Sequence, residues 1–223
     1  LSPCGAGTPD PLCLAGDGHQ RIYRTRFPLS RAGIEVRGRS RRLKVNYRTS
    51  EQIRTYAQTI LDGLVIDDFQ DGITTTLADR SVFKGPKPEI VICASAGDEP
   101  KAVAEWVWRL IDKEGLATHE ICVTPYKPEL AEALNGAGVA VFKLRPREMD
   151  PGSEEPGVRM GSMKRIKGLE FRAVAMACGS AQDPMNYLPT SNSMSRCERY
   201  VACTRARERL LVTVTKGVGA LTQ

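Results

Sequence analysis

Histidine is nearly missing from this sequence, with two in 223 residues. The seven cysteines, at positions 4, 13, 93, 122, 178, 197 and 203, include no C-x-x-C pair. These two shortages argue against the usual zinc-site spacings, and an odd, scattered set of thiols is not a disulfide framework. No metal ligands are assigned. The expected setting is a reducing compartment, the cytoplasm, with the cysteines acting as small core hydrophobes. No apolar run approaches the roughly 20 residues of a membrane span, so no membrane partner is expected. Residues 1–15 show neither a basic start nor a signal-like apolar centre. The first residue is Leu rather than Met, and the chain is expected to be a piece of something longer. Also absent is any G-x-x-x-x-G-K-[ST] phosphate loop, or an acidic pair following a strand that could hold Mg²⁺.

What remains is an ordinary soluble composition, 41% hydrophobic and 26% charged. Lys and Arg exceed Asp and Glu by 32 to 26, for a net charge of +6 and a pI near 9.0. That excess suits a polyanionic partner without requiring one. From about residue 90 strands and helices alternate. "EIVICAS" (89–95) is short, branched and apolar, as a buried strand should be. "DEPKAVAEWVWRLIDKEG" follows as a helix with Asp98 as N-cap, Pro100 in the first turn and Gly115 as its stop. "HEICVT" is a strand, "PELAEALNG" a helix, and "VAVFKL", "VRMGSM" and "RAVAMAC" are further strands. A helix over about 194–207 precedes a last strand, "RLLVTV". Upstream, "TSEQIRTYAQTIL" reads as a helix opened by a capping box of Thr49 and Gln52. The alternation predicts an α/β fold, a mostly parallel sheet with helices on both faces. Ligands of such sheets gather at the carboxyl ends of the strands.

Four polar stretches carry the chemistry: "GDGHQRIY" (16–23), "NYRTS" (46–50), "MKRIKGLEF" (163–171) and "YVACTRARERL" (200–210). In this order they resemble the third to sixth motifs of superfamily 1 DNA helicases of the UvrD/PcrA/Rep type, and the resemblance spans nearly the whole chain. It implies the C-terminal, second RecA-like motor domain of a bacterial ATP-dependent DNA helicase or translocase, with DNA repair as its setting. ATP and Mg²⁺ are the implied cofactors. The Mg²⁺ ligands and the phosphate loop are expected in the first RecA-like domain of the same polypeptide. Residues 1–30 would be the end of that first domain, 31–89 a linker with the fourth motif and a surface excursion, and 90–223 the body of the second domain.

The resemblance also assigns roles. Arg205 would be an arginine finger to the γ-phosphate and Arg48 a second one, since a planar, permanently charged fork suits phosphate oxygens. Gln20 would sense the γ-phosphate. Tyr47 would stack on adenine, Glu170 would bind the ribose, and Gly168 would let the backbone come close. Single-stranded DNA, the other expected partner, would meet Tyr23 through a base and Ser162 and Lys164 through its backbone. On a helical wheel Arg205 and Arg207 both flank the stripe of Cys197, Tyr200, Val201 and Thr204, so spacing leaves both open and the motif selects Arg205. Thr25 stands where better-known members carry a stacking Trp, Ser162 replaces a Thr and Lys164 a His. The alternative reading is a non-catalytic nucleic-acid-binding or interaction module built on a helicase fold. A fused nuclease domain elsewhere in the polypeptide is a third option.

Overall fold

The computed structural model describes residues 20, 33–34, 45–64, 66–67, 73–74, 80–180 and 193–215. At its centre six strands lie in one sheet: β5 (Glu89–Cys93), β6 (Ile121–Thr124), β7 (Val141–Lys143), β8 (Val158–Met160), β9 (Phe171–Ser180) and β10 (Ala206–Thr215). Their order across the sheet is β5-β10-β9-β6-β8-β7, and every ladder is parallel. The middle strands are apolar on both sides, which is why they occupy the centre of a parallel sheet. Alternation sorts their side chains into two cores. Val174, Met176, Leu210, Val212 and Val214 face α1 (Glu51–Thr59) and α4 (Ser193–Cys203). Ala173, Ala175, Ala177 and Leu211 face α2 (Asp98–Glu114) and α3 (Pro128–Gly136). Val103, Val107 and Leu110 of α2 are fully buried there, each worth about 1.5–3 kcal/mol of transfer free energy. Four two-residue strands make smaller pairs upstream. β1 (Val45–Asn46) runs parallel to β4 (Arg80–Ser81), and β2 (Ile66–Asp67) antiparallel to β3 (Ile73–Thr74).

The predicted fold class stands, and three local expectations are corrected. The capping box of α1 does not form. Ser50 is the N-cap and makes no side-chain cap bond. Instead Ser50 N donates to Arg207 O at 2.9 Å and Glu51 N to Phe83 O at 3.0 Å. Neighbouring carbonyls thus take up N–H groups where the helix begins. Thr49 Oγ1 accepts from Asn46 Nδ2, and Gln52 Oε1 from Gly85 N. At α2 the N-cap is Gly97. Asp98 is the first helical residue, and its carboxylate accepts from Ser95 N and Oγ at 3.0 and 2.7 Å. Those bonds hold the Asp98 carboxyl below its ordinary pKa. Lastly, α4 ends at Cys203 and β10 opens at Ala206. Arg205 and Arg207 therefore do not share a helix face. Ladder pairing of Ala206 with Phe171 overrides the local helical preference.

Besides Arg205, two charged side chains are buried among the described residues, Arg159 and Glu99. Arg159 of β8 is 0% exposed. Its guanidinium donates to Asp150 Oδ1 at 3.0 Å, to Glu155 O and Gly157 O, and to Gly152 O, and it lies over the Phe142 ring. Glu99 accepts from Lys127 Nζ and Thr213 Oγ1, both at 2.8 Å. Each buried charge thus has charged and neutral partners, without which burial would be prohibitive.

Candidate functional site

The turn of residues 46–50 is organised by Asn46. Its Oδ1 accepts from Arg48 N at 2.7 Å and Thr49 N at 3.2 Å, and its Nδ2 donates to Thr49 Oγ1 at 3.0 Å. This Asx-type turn leaves the Tyr47 ring 72% exposed. The turn is docked by the bond from Ser50 to β10 and by close approach of Gly85, where a Cβ would lie 2.9 Å from Ser50 Cβ. From this platform Arg48 reaches across 122 residues of sequence. Its Nε donates to Glu170 Oε1 at 2.5 Å, with both side chains about two-fifths exposed (38% and 42%).

Glu170 ends a crossover that begins at the other side of the sheet. β8 finishes at Met160, and Gly161 O accepts from Thr124 Oγ1 and Tyr126 N. Hydrogen-bonded turns over 162–169 then carry the chain back, anchored by fully buried Ile166 in the α1/α4 core. Gly168 has φ +91° with open space around a would-be Cβ. Its glycine is required by backbone conformation and not by crowding. The loop is braced from below by Arg205, which is 1% exposed. Arg205 Nη1 donates to Leu169 O at 3.4 Å, Nε to Val201 O at 3.1 Å and Nη2 to Thr204 Oγ1 at 3.3 Å. Arg205 O accepts from Phe171 N at 2.9 Å. Arg207 points to solvent.

Tyr47, Arg48, Gly168, Glu170 and Arg205 therefore come together from three separate stretches. Gln20 joins them through Lys167, whose Nζ donates to Gln20 O at 3.1 Å. The meeting point differs from the expected one. β9 opens directly after Glu170 and β10 directly after Arg205, so the cluster sits at the amino edge of these strands, not the carboxyl edge. The physical reason is the return crossover, whose polar residues lie just before a strand instead of just after one. Ser162 and Lys164 are apart from the cluster, following the carboxyl end of β8. Ser162 Oγ accepts from Arg165 N at 3.1 Å, and exposed Lys164 pairs with Glu198 at 3.3 Å. Tyr23 lies outside the described residues. Sequence reasoning missed Asn46, although an Asn two residues before a turn residue is a recognisable Asx signal, and it missed the bracing by Arg205.

The exposed Tyr47 ring, the Arg48 guanidinium and the Glu170 carboxylate can take an aromatic base, an anion and a sugar hydroxyl respectively. No three His, Cys, Asp or Glu groups among the described residues gather to hold a metal. The donors at this edge do not fit Mg²⁺. No helix among the described residues is long and apolar enough to cross a membrane.

No protein-family profile matches the sequence, and no curated protein does. Among solved structures, the C-terminal domain of a possible DNA helicase from Lactobacillus plantarum WCFS1 superposes with a TM-score of 0.53. It is 21% identical, over 79% of this chain and 91% of that one. An Arterivirus nonstructural protein 10 (helicase) aligns at TM-score 0.30 and 14% identity, over 77% of this chain and 25% of its own, too distant to carry an argument. The chain is thus an α/β protein with a six-stranded parallel sheet flanked by helices, a fold similar to that of the C-terminal domain of a possible DNA helicase.

Proposed function

We propose that this chain is the second motor domain of an ATP-dependent helicase or translocase acting on single-stranded DNA. The observation that carries the reading is the convergence of Tyr47, Arg48, Gly168, Glu170 and Arg205 at one sheet edge, closed by the 2.5 Å Arg48–Glu170 pair. ATP, when bound between the two motor domains, would supply a cleavable phosphoanhydride, and closure of the domains on it would drive stepping along the strand. Tyr47 offers a solvent-facing ring for adenine, Glu170 a carboxylate for the ribose, and Arg48 a surface guanidinium for the terminal phosphate. Arg205 fills its finger role only if its guanidinium leaves Leu169 O and Thr204 Oγ1, so Arg48 is the arginine already in place. A first RecA-like domain would supply the phosphate loop that this sequence lacks, together with the Mg²⁺ ligands.

The burial of Arg205 favours one second reading, a nucleic-acid-binding or interaction module that kept the fold and uses Arg205 as a brace. Steady-state ATP hydrolysis by the polypeptide carrying both motor domains separates the two. The motor reading expects turnover stimulated by single-stranded DNA. Absence of turnover, with DNA binding retained, supports the module.

A further inference from the structure

The register of the sheet brings three loops level at its carboxyl edge. Val123 of β6 and Lys143 of β7 both pair with Met160 of β8, so the residues that follow these strands lie side by side. Tyr126 N donates to Gly161 O, next to Ser162. Lys143 Nζ sits 3.9 Å from the centroid of the Tyr126 ring. Arg165 staples the neighbouring loop, donating to Arg145 O at 2.7 Å and to Glu148 O at 2.6 Å. Exposed Lys143, Arg145 and Arg147 therefore continue the surface on which Ser162 and Lys164 stand. Arg145 is only loosely offset by Glu148, at 3.7 Å with both side chains mostly exposed. Arg147 has no ion-pair partner among the described residues, and its backbone is held at φ +67°.

We infer that Lys143, Arg145 and Arg147, with the Tyr126 ring, form a binding track for single-stranded nucleic acid, extending the contacts of Ser162 and Lys164 across the carboxyl edge of β6, β8 and β7. The chemistry is a row of exposed cations for phosphates beside one aromatic ring that already accepts a cation and offers its π-system to a base. The inference rests on the reading of this chain as a DNA-binding motor domain, but it names residues that the motifs do not.

Fluorescence anisotropy of a labelled oligothymidine, titrated with the 223-residue chain over a series of salt concentrations, tests it. Each lost phosphate contact on a single strand removes about 0.7 from the log–log salt slope. The variant K143A/R145A/R147A should therefore flatten the slope by about 2 and weaken binding by roughly tenfold or more. A charge-matched control, K87A/R109A/K113A at the opposite end of the sheet and of α2, should bind nearly as wild type. Tyr126→Leu keeps an apolar side chain against the core and loses the ring, and should weaken binding roughly tenfold. If wild type binds and the K143A/R145A/R147A variant matches it, the track is wrong while the motor-domain reading stands. If wild type binds no oligothymidine even in low salt, both fall. If poly-glutamate of equal charge competes as well as DNA, the surface is a general anion or acidic-protein face, and the assignment to nucleic acid is overturned.

Discussion

Truncating Arg205 to alanine removes the donor from Val201 O, Leu169 O and Thr204 Oγ1 at once. Leaving a buried acceptor unsatisfied costs about 1–3 kcal/mol, so Arg205→Ala should lower stability by about that much in urea unfolding. Lysine should restore little, because one ammonium cannot span three acceptors arranged around a fork. Arg207→Ala, two residues on and exposed, should stay within about 0.5 kcal/mol of wild type. Equal losses at the two positions would mean that Arg205 does not brace the loop. Arg48 is a different case. Its pair with Glu170 is exposed on both sides, and such pairs contribute about 0–1 kcal/mol. Arg48→Ala should therefore leave the fold intact, which makes it the clean probe of chemistry. The motif residues were legible in the sequence, but their surroundings were not. Whether a guanidinium at a helix–strand junction points out or in depends on which residue pairs with Phe171, a contact between segments over 30 residues apart.

At the level of elements, α3 runs over the predicted residues, because Pro128 at its first turn is a local start signal. The α4–β10 boundary was not local. Sheet pairing takes Ala206 out of the helix, a long-range effect that periodicity cannot report. Arg159 was equally hidden, since its partners come from loops at 150–157. Two carboxylates at element starts give a pH signature. Glu51 is held below its ordinary value of 4.5 by the side chain of Arg54 and by Ser81 N, and Glu208 by Arg172. With folded values below unfolded ones, their stabilisation is complete above about pH 4.5 and disappears as pH falls through the lowered values. Glu51→Gln with Glu208→Gln should thus be less stable than wild type at neutral pH, with a shallower loss on acidification below about pH 4.5. Thermal melts across that range check it. Parallel curves for the two proteins would mean that these pairs are not linked to folding.

For the whole molecule, strand–helix alternation was enough to anticipate a two-faced parallel sheet, since only that arrangement buries both sides of strands such as β9. Strand order was not readable. Because β8 and β9 are parallel, the crossover between them leaves Ser162 and Lys164 near the carboxyl edge and delivers the cluster around Glu170 to the amino edge. One short segment, 162–170, thereby links the proposed DNA face to the proposed nucleotide face, with Ile166 fixing it to the core. The 223-residue chain alone should not turn over ATP, because its sequence has no phosphate-loop lysine to neutralise the phosphates. Steady hydrolysis by a clean preparation would overturn the two-domain account.

The most direct test of the central claim is the steady-state ATP turnover of the two-domain polypeptide in saturating single-stranded DNA, compared between wild type and Arg48→Ala. Arg48 is poised at the surface beside Glu170, and a guanidinium acting on transition-state charge is worth roughly 10³–10⁵ in rate. The account predicts DNA-stimulated turnover in wild type and a fall in kcat of at least about 10³ in the variant, with an unchanged melting temperature and little change in DNA affinity. Turnover by Arg48→Ala at the wild-type rate, or no DNA-stimulated turnover in wild type, would contradict it.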